Sequence, residues 1–206
     1  MKYTKLKVIR TKELSDDIFE LILDSRGMKF KPGDVITINH PINGVMESRP
    51  FFIASGIQEP WIRILIRIND GVLIDYLFNI KKHAMVKVNI EPFSIFPKLL
   101  TQDEKCIFIA SGIGISPFLS YFSSFPSTKV SQLLYHIKSE GVNSDWLFKN
   151  HNAIIDMHID NLINSMDVNK KDHYYLCGAE NVIGIFENIL KKKVHPKKLH
   201  VYKISS

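Results

Sequence analysis

Three short stretches carry the residue types from which a nucleotide site is built. Arg49-Pro50-Phe51-Phe52-Ile53-Ala54-Ser55 sets one fixed cation beside two aromatic rings in an extended, apolar run. A guanidinium can grip a pyrophosphate through two parallel hydrogen bonds, and a neighbouring ring can cover a planar heterocycle. The same seven residues also read as an ordinary strand with a surface Arg and two core Phe. In Ser111-Gly112-Ile113-Gly114-Ile115-Ser116-Pro117-Phe118 the glycines remove Cβ atoms where a chain must turn sharply and let a phosphate approach. Ser116 suits a helix N-cap and Pro117 a first helical turn. This is GxGxxP and not the dinucleotide fingerprint GxGxxG, so a plain strand-to-helix turn stays open as a reading. Cys177-Gly178-Ala179-Glu180 ends a predicted strand and precedes a predicted helix, which opens it onto the same sheet edge as Gly112 and Gly114. There Cys177 would set a polarizable thiol beside whatever the glycine loop holds; taken alone, Cys177 and Cys106 both read as core filler.

These stretches need elements to position them. Over residues 1–99 the pattern is one of short alternating runs, at residues 3–9, 18–23, 35–39, 49–55, 61–68 and 85–90. Turn residues separate them, including Pro32-Gly33-Asp34 and a loop expected over residues 41–48. Such spacing predicts a closed antiparallel barrel or a sandwich. One short helix is expected over residues 72–80, with its start poised to approach a ligand. After a linker over residues 97–104 the period changes. Residues 106–110 form a continuously apolar run, as a parallel strand buried on both faces requires. Further strands at 130–136, 153–157, 173–177 and 199–202, and helices at 116–122 and 180–192, predict a parallel α/β domain over residues 100–206. Its ligand would lie at the carboxyl ends of the strands.

The bulk composition narrows the class. The chain has 206 residues, 45% hydrophobic and 23% charged, enough for two small domains or one large one. No apolar run reaches the length of a membrane span and no signal peptide is evident, so the expected address is cytoplasmic. Two cysteines without a CxxC pattern argue against a disulfide framework, a zinc knuckle or a cysteine-ligated iron–sulfur cluster. The eight histidines show no HExxH or HxH spacing, and no metal site is expected. A net charge of +6 suits an acidic partner or a phosphorylated cofactor. Much of it lies in Lys191–Lys193 and Lys197–Lys198, which also read as a solvated face complementing a helix end. No basic stripe interleaved with aromatics points to nucleic acid.

Taken in order, the stretches resemble the ferredoxin–NADP(+) reductase superfamily over essentially the whole chain, without an attached iron–sulfur domain. Arg49-Pro50-Phe51-Phe52 resembles its flavin motif Arg-x-Tyr-Ser/Thr. Gly71-Val72-Leu73-Ile74-Asp75-Tyr76-Leu77 is similar to the Gly-x-x-Ser-x-x-Leu segment that holds the FAD pyrophosphate. Gly112–Phe118 is similar to the GTGIAPF nicotinamide-nucleotide loop, and Cys177-Gly178 to the Cys-Gly pair that lines the nicotinamide pocket. The resemblance implies a flavin-binding antiparallel barrel followed by an NAD(P)-binding α/β domain. Arg49 and Pro50 would then lie at the flavin phosphates, Phe51 and Phe52 at the flavin ring, and Ile66, Arg67 and Ile68 along the adenine. The segment Gly71, Val72, Leu73 and Ile74 would hold the pyrophosphate. Gly112, Ile113, Gly114, Ser116 and Pro117, with Gly178, Ala179 and Glu180, would cradle the nicotinamide nucleotide. Cys177 would place its ring, and Lys138 and Ser139 would meet the ribose or its 2′-phosphate.

Some positions depart from the family pattern. Phe51 stands for Tyr, Phe52 for Ser/Thr and Ile74 for a phosphate-contacting Ser; Glu91-Pro92-Phe93-Ser94 stands where Gly-Pro-x-Gly is usual, and Tyr202 where many members carry Glu. Three lost hydrogen bonds of roughly 0.5–1.5 kcal/mol each would weaken flavin binding by about one to three orders of magnitude. The expected activity is that of a flavin-dependent oxidoreductase. Hydride would pass from NADPH or NADH to FAD, favoured over FMN, and electrons then to a separate, acidic acceptor such as ferredoxin or flavodoxin. A free-flavin reductase and a non-catalytic electron-transfer or regulatory subunit are the alternatives.

Overall fold

The computed structural model describes residues 3–69, 71–93, 95–96, 105–125, 130–138 and 152–204. The chain separates into two compact units, Met1–Ser94 with Ser116–Pro126, and Ile95–Ile115 with Ser127–Ser206.

In the first unit, alternating apolar residues build six strands: β1 (Thr4–Ser15), β2 (Ile18–Asp24), β3 (Val35–Ile42), β4 (Val45–Phe52), β5 (Trp61–Arg67) and β6 (Met85–Glu91). They pair antiparallel in the order β4-β3-β6-β1-β2-β5. Their inward residues, among them Leu6, Phe19, Leu21, Ile36, Ile38, Ile64 and Val88, form one core. Irregular register at Val8/Arg10 and Glu13/Ser15 bends the long β1. The sheet is barrel-like and not closed: β4 and β5 are its ends, and just past β4 an isolated bridge pairs Ile53 with Ile64 of β5. The helix α1 (Val72–Phe78) buries Leu73, Ile74 and Leu77 against this core.

The loop expected over residues 41–48 is instead a hairpin. β3 runs on to Ile42, and Asn43 and Gly44 turn with φ of 50° and 80° before β4 starts at Val45. Two left-handed residues in a two-residue loop match the twist of the flanking strands, which is why Asn-Gly makes a hairpin there. That extension puts Arg49 inside a paired strand opposite Ile38 rather than at a strand start.

The second unit is a parallel sheet of β7 (Cys106–Ser111), β8 (Val130–His136), β9 (Ala153–Asp156), β10 (His173–Ala179) and β11 (Leu199–Ile204), in the order β11-β10-β7-β8-β9. Every residue of the central β7 is buried. A 3-10 turn over Gly112–Ile115 leads from β7 into α2 (Ser116–Ser124), so Ser116 is the first helical residue and not an N-cap. α2 groups with the first unit. There Ser120 Oγ donates to the Ser55 carbonyl at 2.7 Å, and the Ile57 amide donates to Ser124 Oγ at 3.0 Å. A short helix α3 (Ile159–Asn164), absent from the sequence-based pattern, follows β9. The helix α4 (Glu180–Leu190) lays Val182, Ile183, Phe186 and Leu190 on the core of Ile107, Ile109, Leu134 and Leu176.

Candidate functional site

In the first unit Arg49 and Gly71, twenty-two positions apart, meet. The side chains of cross-strand partners share a sheet face, so the pairing of Arg49 with Ile38 turns Arg49 toward the face that carries the core. The guanidinium donates from Nη1 to Asn69 Oδ1 at 3.4 Å. A Cβ on Gly71 would come within 3.0 Å of Arg49 Nη2 and 3.1 Å of Asn69 Oδ1. Glycine at 71 therefore lets the cation lie directly against the backbone where α1 begins; the Gly71 carbonyl accepts the first helical bond from the Asp75 amide at 3.0 Å. One planar cation against the half-buried backbone of a helix start is a donor arrangement that fits a diphosphate.

The other predicted residues of this unit divide by burial. Leu73 and Ile74 are each 1% exposed and Ile66 is fully buried, all within the core. Their side chains belong to the core, so what these three positions can offer a cofactor is main chain. Val72, by contrast, is exposed, and Arg67 and Ile68 are half-buried. Phe51 and Phe52 retain 8% and 7% of their surface. Phe51 belongs to the core, and Phe52 makes an edge contact with Phe93 at a centroid distance of 5.8 Å. Pro50 is exposed on the sheet's end strand.

Asn69, which accepts from the guanidinium, is a candidate that no motif marked, and in the same unit His40 meets Tyr76 of the Gly71–Leu77 segment. These two rings stack at 3.7 Å with planes 16° apart. His40 pairs with Glu47, two positions along β4 from Arg49, and Tyr76 lies on α1. Burial, and then the Lys87 ammonium, hold the His40 imidazole below its ordinary pKa. A lone His in a strand gave no motif to find it by.

In the second unit the carboxyl ends of β7, β8 and β10 converge. Gly178 has φ of 144°, and a Cβ on it would sit 2.7 Å from the Ser111 amide nitrogen and 2.8 Å from the Ser111 Cβ. A Cβ on Gly114 would collide with the Cys177 carbonyl. The glycine loop and the Cys177-Gly178 pair are thus locked backbone to backbone, a packing only glycine allows. Tyr135 donates its hydroxyl to the Gly112 carbonyl at 3.2 Å, and Ser111 Oγ lies 3.4 Å from His136 Nδ1. Gly112 has φ of 54° and nothing within 4 Å of its missing Cβ, so it presents open backbone. Ile113 is half-buried, while Ser116 and Pro117 are buried.

Cys177 is fully buried, and burial pushes its thiol well above the ordinary range. Its carbonyl is what packs against Gly114. Ala179 and Glu180 lie where β10 passes into α4, with Glu180 exposed. Lys138 is exposed just beyond β8. Ser139, predicted beside it, lies outside the described residues, as does Ser94 of the Glu-Pro-Phe-Ser segment. Among the described residues no group of three or more His, Cys, Asp or Glu converges as metal ligands, and no helix is long and apolar enough to cross a membrane.

No protein-family model matches the chain. NADPH oxidase 1 of Mus musculus is 24% identical over 166 residues, covering 78% of this chain and 28% of that protein. The Rattus norvegicus NADPH oxidase 1 is 24% identical over 169 residues, covering 80% and 30%. The chain thus spans less than a third of the length of these curated relatives. Among solved structures, the FAD/NAD-binding domain of nitric oxide dioxygenase from Vibrio cholerae superposes with a TM-score of 0.79 at 15% identity, covering 98% of both chains. A ferredoxin NADP+ reductase from Neisseria gonorrhoeae with bound FAD and NADP superposes with a TM-score of 0.77 at 13% identity, covering 100% of this chain and 99% of that one. The chain has the two-domain fold of ferredoxin–NADP+ reductase-like FAD/NAD-binding domains.

Proposed function

We propose that this chain is an NAD(P)H-dependent flavoprotein reductase, with FAD held by the first unit and the nicotinamide nucleotide by the second. The observation that carries this reading is the approach of the Arg49 guanidinium to the Gly71 backbone, on a fold whose solved relatives include one with FAD and NADP bound. Bound FAD would supply the chemistry, taking two electrons as hydride and releasing them singly. The chain's own residues bind and orient. Arg49 grips the diphosphate, with the backbone at Gly71 and Val72 beside it. Gly112 gives the nucleotide open backbone, with the close packing at Gly114 and Gly178 fixing the turn, and exposed Lys138 would meet the ribose or its 2′-phosphate. Pro50, Phe51, Phe52, Arg67 and Ile68 line the flavin side with what surface they retain; Ile113, Ala179 and Glu180 flank the nucleotide. Electrons would then leave to a separate acceptor protein of the ferredoxin or flavodoxin kind.

A second reading is favoured by a specific observation. Phe51 and Phe52 carry no hydroxyl and little surface, and Ile74 is buried, so side-chain hydrogen bonds to the flavin from these positions are missing. A loosely held flavin would be exchanged as a substrate, making the protein a free-flavin reductase. Equilibrium dialysis with FAD separates the two readings. Stoichiometric retention is expected of the flavoprotein, and Arg49→Ala should weaken it about 10- to 100-fold, the worth of a charge-assisted bond. Wild-type protein that binds neither FAD nor FMN would overturn both.

A further inference from the structure

We propose that His136 is a positioning residue for the nucleotide loop, holding Ser111 and, through it, the glycine turn in the shape that receives a nicotinamide nucleotide. The inference rests on the proposed function. No motif singled out His136, and its role emerges only from the packing.

Successive residues of a strand point to opposite faces, yet Tyr135 and His136 both reach the start of the same loop. Tyr135 holds the Gly112 carbonyl at 3.2 Å, and His136 Nδ1 faces Ser111 Oγ at 3.4 Å. The final two residues of β8 therefore grip residues 111 and 112 from both sides of the sheet. Ser111 is also the residue whose backbone fills the place of a Cβ at Gly178. A shift of Ser111 would move the Cys177-Gly178 backbone with it, since no slack remains between them.

His136 is 8% exposed and Ser111 is 2% exposed, so neither hydroxyl nor imidazole can turn to bulk water in exchange. The Met157 backbone takes part as well, hydrogen-bonded to the imidazole from the end of β9. With the ring N–H on the Met157 carbonyl, Nδ1 is left as the acceptor for the Ser111 hydroxyl. Burial and the Lys138 ammonium favour this neutral form, against the opposing pulls of the Met157 carbonyl and Asp156. Protonation would convert Nδ1 from acceptor to donor and force the Ser111 hydroxyl to reorient, disturbing the loop.

The test is calorimetric binding of NAD+ and NADP+ to the full chain, with thermal melts confirming that each variant is folded. His136→Ala is expected to weaken both nucleotides about tenfold. Asn places an acceptor near the position of Nδ1, so His136→Asn should recover most of that affinity. Ser111→Ala should cost a similar factor, and the double variant His136→Ala/Ser111→Ala no more than either single change, as coupled residues require. Wild-type affinity for NAD+ should fall as pH drops through the depressed value of the His136 imidazole, below the ordinary histidine range, and in His136→Asn this dependence should vanish. NAD+ is used for the pH series because a 2′-phosphate titrates near pH 6 itself. Where His136→Ala does not fold, Ser111→Ala and His136→Asn still decide. Unchanged affinity in the variants, additive effects, or a pH dependence that survives His136→Asn would overturn the positioning role. Failure of the wild-type protein to bind either nucleotide would instead overturn the functional reading on which it rests.

Discussion

Arg49 lies so close to the backbone of Gly71 that a methyl group at position 71 would come within 3.0 Å of Nη2. The contact joins the second strand of a hairpin to the start of a helix, and it puts a cation where a diphosphate can meet both side chain and main chain. Gly71→Ala is therefore expected to displace the guanidinium by a few tenths of an ångström while leaving the fold intact, because φ at Gly71 is −106° and Ala adopts it freely. FAD affinity measured by fluorescence quenching should fall about two- to tenfold, less than for Arg49→Ala. Equal affinity in wild-type and Gly71→Ala protein would remove this contact from the site.

Gly178 and Gly112 both have left-handed φ, but their surroundings differ. Gly178→Ala must strain the backbone and also drive a Cβ into Ser111, so a loss of about 3 kcal/mol or more is expected, read as a drop of roughly 10 °C in melting temperature. Gly112→Ala meets open space and should cost only the conformational strain of about 1–2 kcal/mol. Similar melting temperatures for the two variants would contradict the backbone lock between Ser111 and Gly178.

Both cysteines are buried, and burial raises the pKa of the Cys177 thiol well above its ordinary value. Native protein at pH 8 should show almost no reaction with a thiol reagent over minutes, and two thiols should appear on denaturation. Cys177→Ala should leave nucleotide binding within about threefold of wild type, since the loop packs on the backbone of Cys177 and not on its sulfur. A fast-reacting native thiol, or lost binding in Cys177→Ala, would restore a chemical role for the side chain.

Three imidazoles, His40, His136 and His200, are held below their ordinary value, each chiefly by burial; Lys87, Lys138 and His173 respectively add to the lowering. In the window between the depressed folded value and about 6.5 the unfolded chain binds protons that the folded chain does not. Stability is thus full above pH 6.5 and lost as pH falls through that window. Chemical denaturation from pH 8 to pH 5 should show this decline, and His40→Gln should flatten part of it. A flat profile would contradict the burial of these rings in their neutral form.

The amino-acid order revealed the fold class well where packing is simple. Alternation in Trp61–Arg67 and the apolar run Cys106–Ser111 each have one solution, an edge-to-core strand and a doubly buried one. It misread residues 41–48 as loop because Pro41 and the polar residues around it concealed the Asn43-Gly44 hairpin signal. α3 left no trace because only Leu162 of its six residues is buried. For the site, Arg49 and the glycines were legible since their types are unusual and their spacing is fixed by the backbone. Asn69, His40 and His136 were not; their partners, in the order Arg49, Tyr76 and Ser111, lie elsewhere in the chain. Each acts through a partner distant in sequence, and only the folded chain brings those pairs together. Leu73 and Ile74 show the converse: a motif position inherited by resemblance had been given over to the core.

The central claim is that one chain seats a flavin and a nicotinamide nucleotide and connects them by hydride transfer. An absorbance spectrum of FAD-reconstituted protein, recorded anaerobically before and after one equivalent of NADPH and separately of NADH, tests it most directly. The expected result is a flavin band that survives removal of free FAD and bleaches with at least one of the two nucleotides. Protein that takes up neither FAD nor FMN, or a flavin band that neither nucleotide bleaches, would contradict the account.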